Sequence, residues 1–121
     1  MRDLDIWQAQ LFSCIRELAD EKECEALWLG ADPNRISSFV EAVAHVFNDY
    51  EINDFLRQGR AKAGLTEAQW KALVAFRDEF TRYLAQVPTP YSRPPLAVLR
   101  DPRWSSVSGA AKVFVDLLGE P

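Results

Sequence analysis

Apolar side chains recur along this chain at the three-and-four spacing of an α-helix almost without interruption, and that regularity excludes most architectures. Leu4, Trp7, Leu11, Cys14 and Leu18 advance by 3, 4, 3 and 4 residues, and Trp104, Val107, Ala111, Phe114 and Leu118 repeat the same steps near the other end. Such steps bring side chains onto one stripe of a helix. No segment alternates strictly between apolar and polar over six or more residues, as a half-buried strand would. The chain therefore reads as all-α. Its 121 residues suit one compact domain, residues 1–121, that buries about 65–70% of its unfolded surface and needs no metal or disulfide to fold. The two cysteines, Cys14 and Cys24, are too few for a disulfide framework or a zinc site and read as reduced, buried thiols.

Start and stop signals divide the pattern. A first helix is expected over residues 3–20. A short apolar cluster, Ala26-Leu27-Trp28-Leu29, stops at Gly30, and Ala31-Asp32-Pro33-Asn34 carries turn chemistry, so a loop is expected from about 30 to 36. Ser37 or Ser38 can cap the next helix, with Glu41 completing a capping box and Phe39, Val40, Val43, Val46, Phe47 and Tyr50 facing inward. A bend near residue 50, a short helix over 52–58 and a basic loop between Gly59 and Gly64 follow. Thr66 to Gln69 forms another capping box, opening a helix whose inward face is Trp70, Leu73, Phe76, Phe80, Leu84 and Val87. Four of the seven prolines lie between Pro88 and Pro95. That segment is expected to be an extended, polyproline-like crossover, with an SH3-type ligand as the alternative. Asp101-Pro102 is an N-cap followed by the residue most favoured at the first helical position, and the final helix stops at Gly119. The expected fold is a single-domain bundle of four longer helices and one or two short ones.

The formal net charge of −4 is of the wrong sign for wrapping a phosphate backbone, so direct nucleic-acid binding is not expected. That charge is unevenly distributed. Residues 17–56 hold ten acids against two bases, a net −8, whereas residues 57–121 hold ten bases against six acids, a net +4. A one-signed segment steers an oppositely charged partner. The plainer alternative is that these charges only solvate the outer faces of helices. The first residues, Met1-Arg2-Asp3-Leu4-Asp5, place acids where a secretory signal has a basic start and an apolar run. Nothing approaches 18 consecutive apolar residues, so the expectation is a cytoplasmic protein that does not enter a membrane.

No pattern of catalytic residues emerges. His45, the only histidine, lies on a polar face between Glu41 and Asp49 at i−4 and i+4, with no nucleophile elbow to serve. Asp49, Glu51 and Asn53 have the odd-position spacing of a calcium loop, but its sixth position is Asp54 instead of glycine and its twelfth is Arg60 instead of glutamate. There is no Glu-x-x-His pair, glycine-rich phosphate loop or zinc spacing. The chain is thus expected to bind a protein, without enzymatic activity or cofactor. Carboxylates beside aromatic anchors suit a basic partner. The candidate contacts are Asp49, Glu51 and Asp54, a second patch of Glu21, Glu23 and Glu25, and the anchors Trp28 and Tyr50.

The stretch Ser38-Phe39-Val40-Glu41-Ala42-Val43, with Phe47-Asn48-Asp49-Tyr50, Asp54-Phe55 and the downstream Asp101-Pro102-Arg103-Trp104 before a final helix, resembles small helical immunity proteins. These belong to bacterial polymorphic-toxin and contact-dependent growth inhibition systems. The resemblance implies a non-catalytic cytoplasmic protein that binds the C-terminal domain of a toxin and blocks its active site or substrate access. Many toxins of such systems are nucleases with basic clefts, which an acidic segment would suit. An adaptor or regulatory subunit docking on another protein is the alternative.

Overall fold

The computed structural model describes residues 3–30 and 38–119. The expected loop at 30–36 and the Ser37 cap lie outside them, except for Gly30. The described residues form helices and turns with no strand, in agreement with the all-α expectation. None of these helices is long and apolar enough to cross a membrane.

Helix α1, Leu4–Ala19, starts where the Asp3 carboxylate accepts the backbone N–H groups of Asp5 and Ile6 at 3.0 and 3.2 Å. Asp20 then serves two helices. Its extended backbone ends α1, and its carboxylate accepts the N–H of Glu23 at 3.0 Å to begin α2, Glu21–Trp28. Helix α3, Phe39–Ala44, starts at Ser38, whose hydroxyl accepts the Glu41 N–H at 3.1 Å, and runs into a π-helical turn, His45–Asp49. Helix α4 is Ile52–Arg57. The expected basic loop is instead a helical turn, α5, Arg60–Ala63, ended by Gly64 in the left-handed region at φ 72°. Helix α6, Glu67–Gln86, has both halves of its capping box, with Gln69 N to Thr66 Oγ1 at 3.1 Å and Thr66 N to Gln69 Oε1 at 2.9 Å. Helix α7 is Pro95–Leu99, and α8 is Pro102–Leu118.

Helix α8 is the centre of the bundle, packed between α6 and α1. Both neighbours run antiparallel to it. On one side the Ser108 hydroxyl donates to the Leu18 carbonyl at 2.9 Å and the Phe12 and Phe114 rings meet at 5.0 Å; on the other the Gln69 amide donates to the Leu117 carbonyl at 3.0 Å. The Trp104 ring of α8 is ringed by Trp28, Phe39, Phe80 and Tyr83, with centroids 5.4–5.6 Å away. Such edge and tilted contacts add to the area the rings bury.

Three expectations need correction. Val40 is 48% exposed, because Phe39, Ala42 and Val43 already fill the inner face of so short a helix. On α6, Trp70 and Leu84 are only half-buried while Tyr83 is buried, its hydroxyl accepting from Arg93 at 3.5 Å. The proline segment is not extended. Thr89 turns the chain at φ 44°, Pro90–Ser92 forms a 3₁₀ turn, and Pro95 opens α7. Pro90 and Pro95 occupy first helical positions, where a missing N–H costs nothing. The segment is bound to the domain by the Tyr91 ring, 6.4 Å from that of Phe39, and by Arg93 on Asp101. A polyproline ligand for an SH3-type module is therefore not displayed.

Candidate functional site

The acidic segment of the chain is shaped by the π-helical turn that follows α3. The N–H of Tyr50 reaches back five residues to the His45 carbonyl at 2.8 Å, one more than in an α-helix. Glu51 then adopts a left-handed conformation at φ 44° and ψ 63°, which is costly for a side chain with a Cβ. Packing sustains this backbone: Val46 before the kink and Ile52 and Phe55 after it are all fully buried. The Tyr50 carbonyl left over at the helix end accepts the indole N–H of Trp7, tying the turn to α1. Turns of this kind occur often at functional sites.

On the outer side of the turn, His45 Nδ1 and Asp49 Oδ2 are 2.8 Å apart, and the His45 and Tyr50 rings stack at 5.8 Å and 20°. Between the turn and α1 lies a cleft of about 370 Å³ lined by Ala9, Gln10, Ser13, Cys14, Glu17, His45 and Tyr50. Burial, then the nearby carboxylates of Glu17 and Asp49, push the Cys14 thiol up to about 12. Cys24 is pushed up to about 12 as well, by burial and then by Glu17, Asp20, its neighbour Cys14 and Glu23. The carboxylates of Asp49 and Glu17 thus lie near Cys14, and those of Glu17, Asp20 and Glu23 near Cys24.

Burial and the neighbouring carboxylates decide what the cleft can do chemically. Cys14 shares it with a histidine that is oriented by an aspartate, a grouping that invites comparison with nucleophilic cysteine sites. A working nucleophile of that kind has its thiol pKa lowered by positive surroundings; here burial and carboxylates raise it. We expect neither cysteine of the native protein to react appreciably with iodoacetamide at pH 7.5, and both to react once it is unfolded in guanidinium. Rapid native labelling of Cys14 would revive the nucleophile reading. Among the described residues, no group of three or more His, Cys, Asp and Glu side chains is placed to hold a metal ion.

The sequence-derived contact residues are not gathered in one place. Asp49 is exposed and Tyr50 half-buried, and both border the cleft region. Glu51 and Asp54 line a separate groove with Leu4, Trp7, Arg57, Gln58 and Lys62. Asp54 also pairs with Arg57, which offsets its charge. On α2, Glu21 and Glu25 are exposed and Glu23 half-buried, and Glu21 lines a third groove beside α8. Trp28 is no anchor. It is 7% exposed, with its ring 5.5 Å from Trp104 and 6.1 Å from Phe39, because α2 has only Cys24, Leu27 and Trp28 with which to hold itself to the core. Glu17 is the residue that sequence reasoning passes over. It lies in the same acidic segment, three residues beyond Cys14, and its carboxylate is near both Cys14 and Cys24. Compared with protein-family models, curated proteins and solved structures, the chain matches none.

Proposed function

We propose that this chain is an immunity protein, which binds the C-terminal domain of a cognate toxin in the cytoplasm and neutralises it by covering a basic active site or its substrate path. The observation that carries the reading is the grouping of the Asp49, Glu17, Asp20 and Glu23 carboxylates about the two buried thiols, beside the half-buried ring of Tyr50 and the cleft between α1 and the π-turn. Carboxylates meet the same Arg and Lys side chains that hold a phosphate backbone, and so can occupy the cleft of a nuclease. Charge supplies fast encounter, and the ring and cleft supply an anchoring surface. The protein itself performs no chemistry and requires no cofactor in this role.

The test is co-expression with the toxin domain encoded immediately upstream. Cells making both should survive, and the two proteins should copurify one to one. The double variant Asp49→Lys and Glu51→Lys should slow association about tenfold or more at low salt, while the unfolding temperature changes little, since Asp49 is exposed and lysine at the half-buried Glu51 leaves the backbone preference of that left-handed position as it is. Death of the co-expressing cells sinks the proposal. Copurification with other proteins alone would favour an adaptor or regulatory subunit. Lost thermal stability with unchanged affinity would make these carboxylates structural groups of the turn.

A further inference from the structure

Helices α6 and α8 lie antiparallel, with the Phe80 ring 5.4 Å from that of Trp104 at one end and Gln69 donating to Leu117 at the other. At the Trp104 end the solvent-facing groove between them is polar, lined by Glu79, Arg82, Gln86, Arg103 and Ser106. Steps of three and four residues continue each wall toward the other end. On α6 they lead from Glu79 to Ala75, Ala72 and Ala68, and on α8 from Ser106 to Ala110, Val113 and Leu117. Charge is absent from both of these rows. Val113 and Leu117 are 56% and 43% exposed, Ala68 and Ala75 are exposed, and Ala72 is buried between the helices.

Single apolar residues at a surface are ordinary. Here large and small ones are sorted onto opposite walls: α8 supplies two projecting side chains, and the three alanines of α6 leave a shallow trough. One chain thus carries both halves of a knob-and-hole contact, as a two-fold interface between identical copies requires.

The charges beside the rows complement themselves in the same way. Lys112 and Asp116 stand one turn apart on the flank of α8 that adjoins Val113, and both are exposed. Neither is in an ion pair among the described residues, although their four-residue spacing permits one. When a second α8 lies antiparallel on the first, residues of the same flank face each other. The register that sets Val113 against Leu117 of the copy then brings Lys112, within one residue, opposite Asp116 of the copy, and the symmetry does so twice.

We propose that the chain forms a reversible homodimer through this face, with α8 antiparallel on α8 of the second copy. Val113 and Leu117 of each chain lie over the alanine trough of the other, and two Lys112–Asp116 pairs close one edge. The self-complementary charges and the sorting of large against small side chains select a second copy as the occupant. From Ser106 to Leu117 the face runs about 18 Å, and two helices make it about 20 Å wide. That footprint is small for a permanent dimer and suits association in the micromolar range. The face shares no residue with those proposed for toxin docking, so the inference stands independently of that reading, and a toxin domain on each copy keeps the one-to-one ratio.

Sedimentation equilibrium of the full chain from about 5 μM to about 1 mM tests it, with the mean mass expected to rise from one chain to two at a dissociation constant on the order of tens of micromolar. Leu117→Lys should weaken the dimer about tenfold or more while the unfolding temperature of the dilute protein changes little, since Leu117 is exposed in the single chain. Lys112→Asp and Asp116→Lys should each weaken it about threefold or more by setting like charges opposite each other, and the two together should restore it to within about twofold of wild type. The proposal is overturned by a chain that stays monomeric at 1 mM, by a Leu117→Lys variant that dimerises as tightly as wild type, or by a double charge swap no tighter than the single ones. A monomeric chain whose Leu117→Lys variant loses the cognate toxin domain also overturns it and gives the face to the toxin.

Discussion

Replacing Phe80 with alanine is expected to lower the stability of the fold by about 3–5 kcal/mol. The ring is fully buried and is shared among several parts of the bundle. Its centroid lies 6.4 Å from Phe39 on α3, 5.1 Å from Phe47 in the π-turn, 5.8 Å from Phe76 on its own helix and 5.4 Å from Trp104 on α8. Deleting it removes buried apolar area and leaves a cavity whose walls belong to three elements that cannot collapse independently. Phe80→Leu keeps much of that volume and should cost far less. Urea unfolding followed by circular dichroism reads both variants, and the alanine midpoint should fall steeply. A loss below about 1 kcal/mol would mean that the ring is peripheral and that the α6–α8 interface does not centre on it.

Phe80 also marks how far the sequence is legible. The steps of 3 and 4 that place it inward on α6, and their repeat through Trp104, Val107, Ala111 and Phe114, identify the long helices, since a stripe of that width is stable only against other apolar stripes. Caps were equally readable: Ser38, Thr66 and Asp101 each satisfy a free N–H by a side-chain oxygen, a purely local interaction. What escapes is decided at a distance. Trp28 sits on a helix of eight residues, too short to show a stripe, and only the arrival of Phe39 and Trp104 makes its position interior. The π-turn arises because Val46, Ile52 and Phe55 must all be buried across one kink, a demand of tertiary packing. The proline segment contains no periodicity to read, and its turn and short helix depend on Tyr91 and Arg93 finding partners elsewhere. The acidic segment is visible as composition. The approach of Glu17 to both thiols, ten residues apart in the chain, requires α2 to fold back on α1, and that of Asp49 to Cys14 requires the π-turn to pack on α1.

Asp101→Asn is the second substitution with a large expected effect, and pH separates its charge from its cap. Asp101 accepts the Arg103 N–H at 2.9 Å as the N-cap of α8. It also accepts Arg103 Nε at 3.0 Å, Arg103 Nη2 at 2.8 Å and Arg93 Nη1 at 2.6 Å, with its side chain 4% exposed. Hydrogen bonds from Arg103, and then from Arg93, outweigh burial and hold its carboxyl well below the usual carboxylate range. Asparagine caps a helix about as well as aspartate, so the asparagine variant removes the charge and its bonds to two arginines. Breaking a buried pair outright costs about 3–5 kcal/mol. Arg93 and Arg103 can each turn partly to water, which places the expected loss nearer about 2 kcal/mol at pH 7; Asp101→Ala adds about 1 kcal/mol for the missing cap. Because the folded pKa is depressed, the contribution is complete above the unfolded value of about 4 and declines as pH falls below it toward the folded value. The stability difference between wild type and Asp101→Asn should therefore be constant from pH 7 to pH 5 and shrink steadily from pH 4 downward, as read by urea midpoints at each pH. A difference that stays constant to pH 2 would locate the effect in the cap geometry. An asparagine variant as stable as wild type at pH 7 would show that the link from the proline segment to α8 contributes nothing to holding the crossover in place.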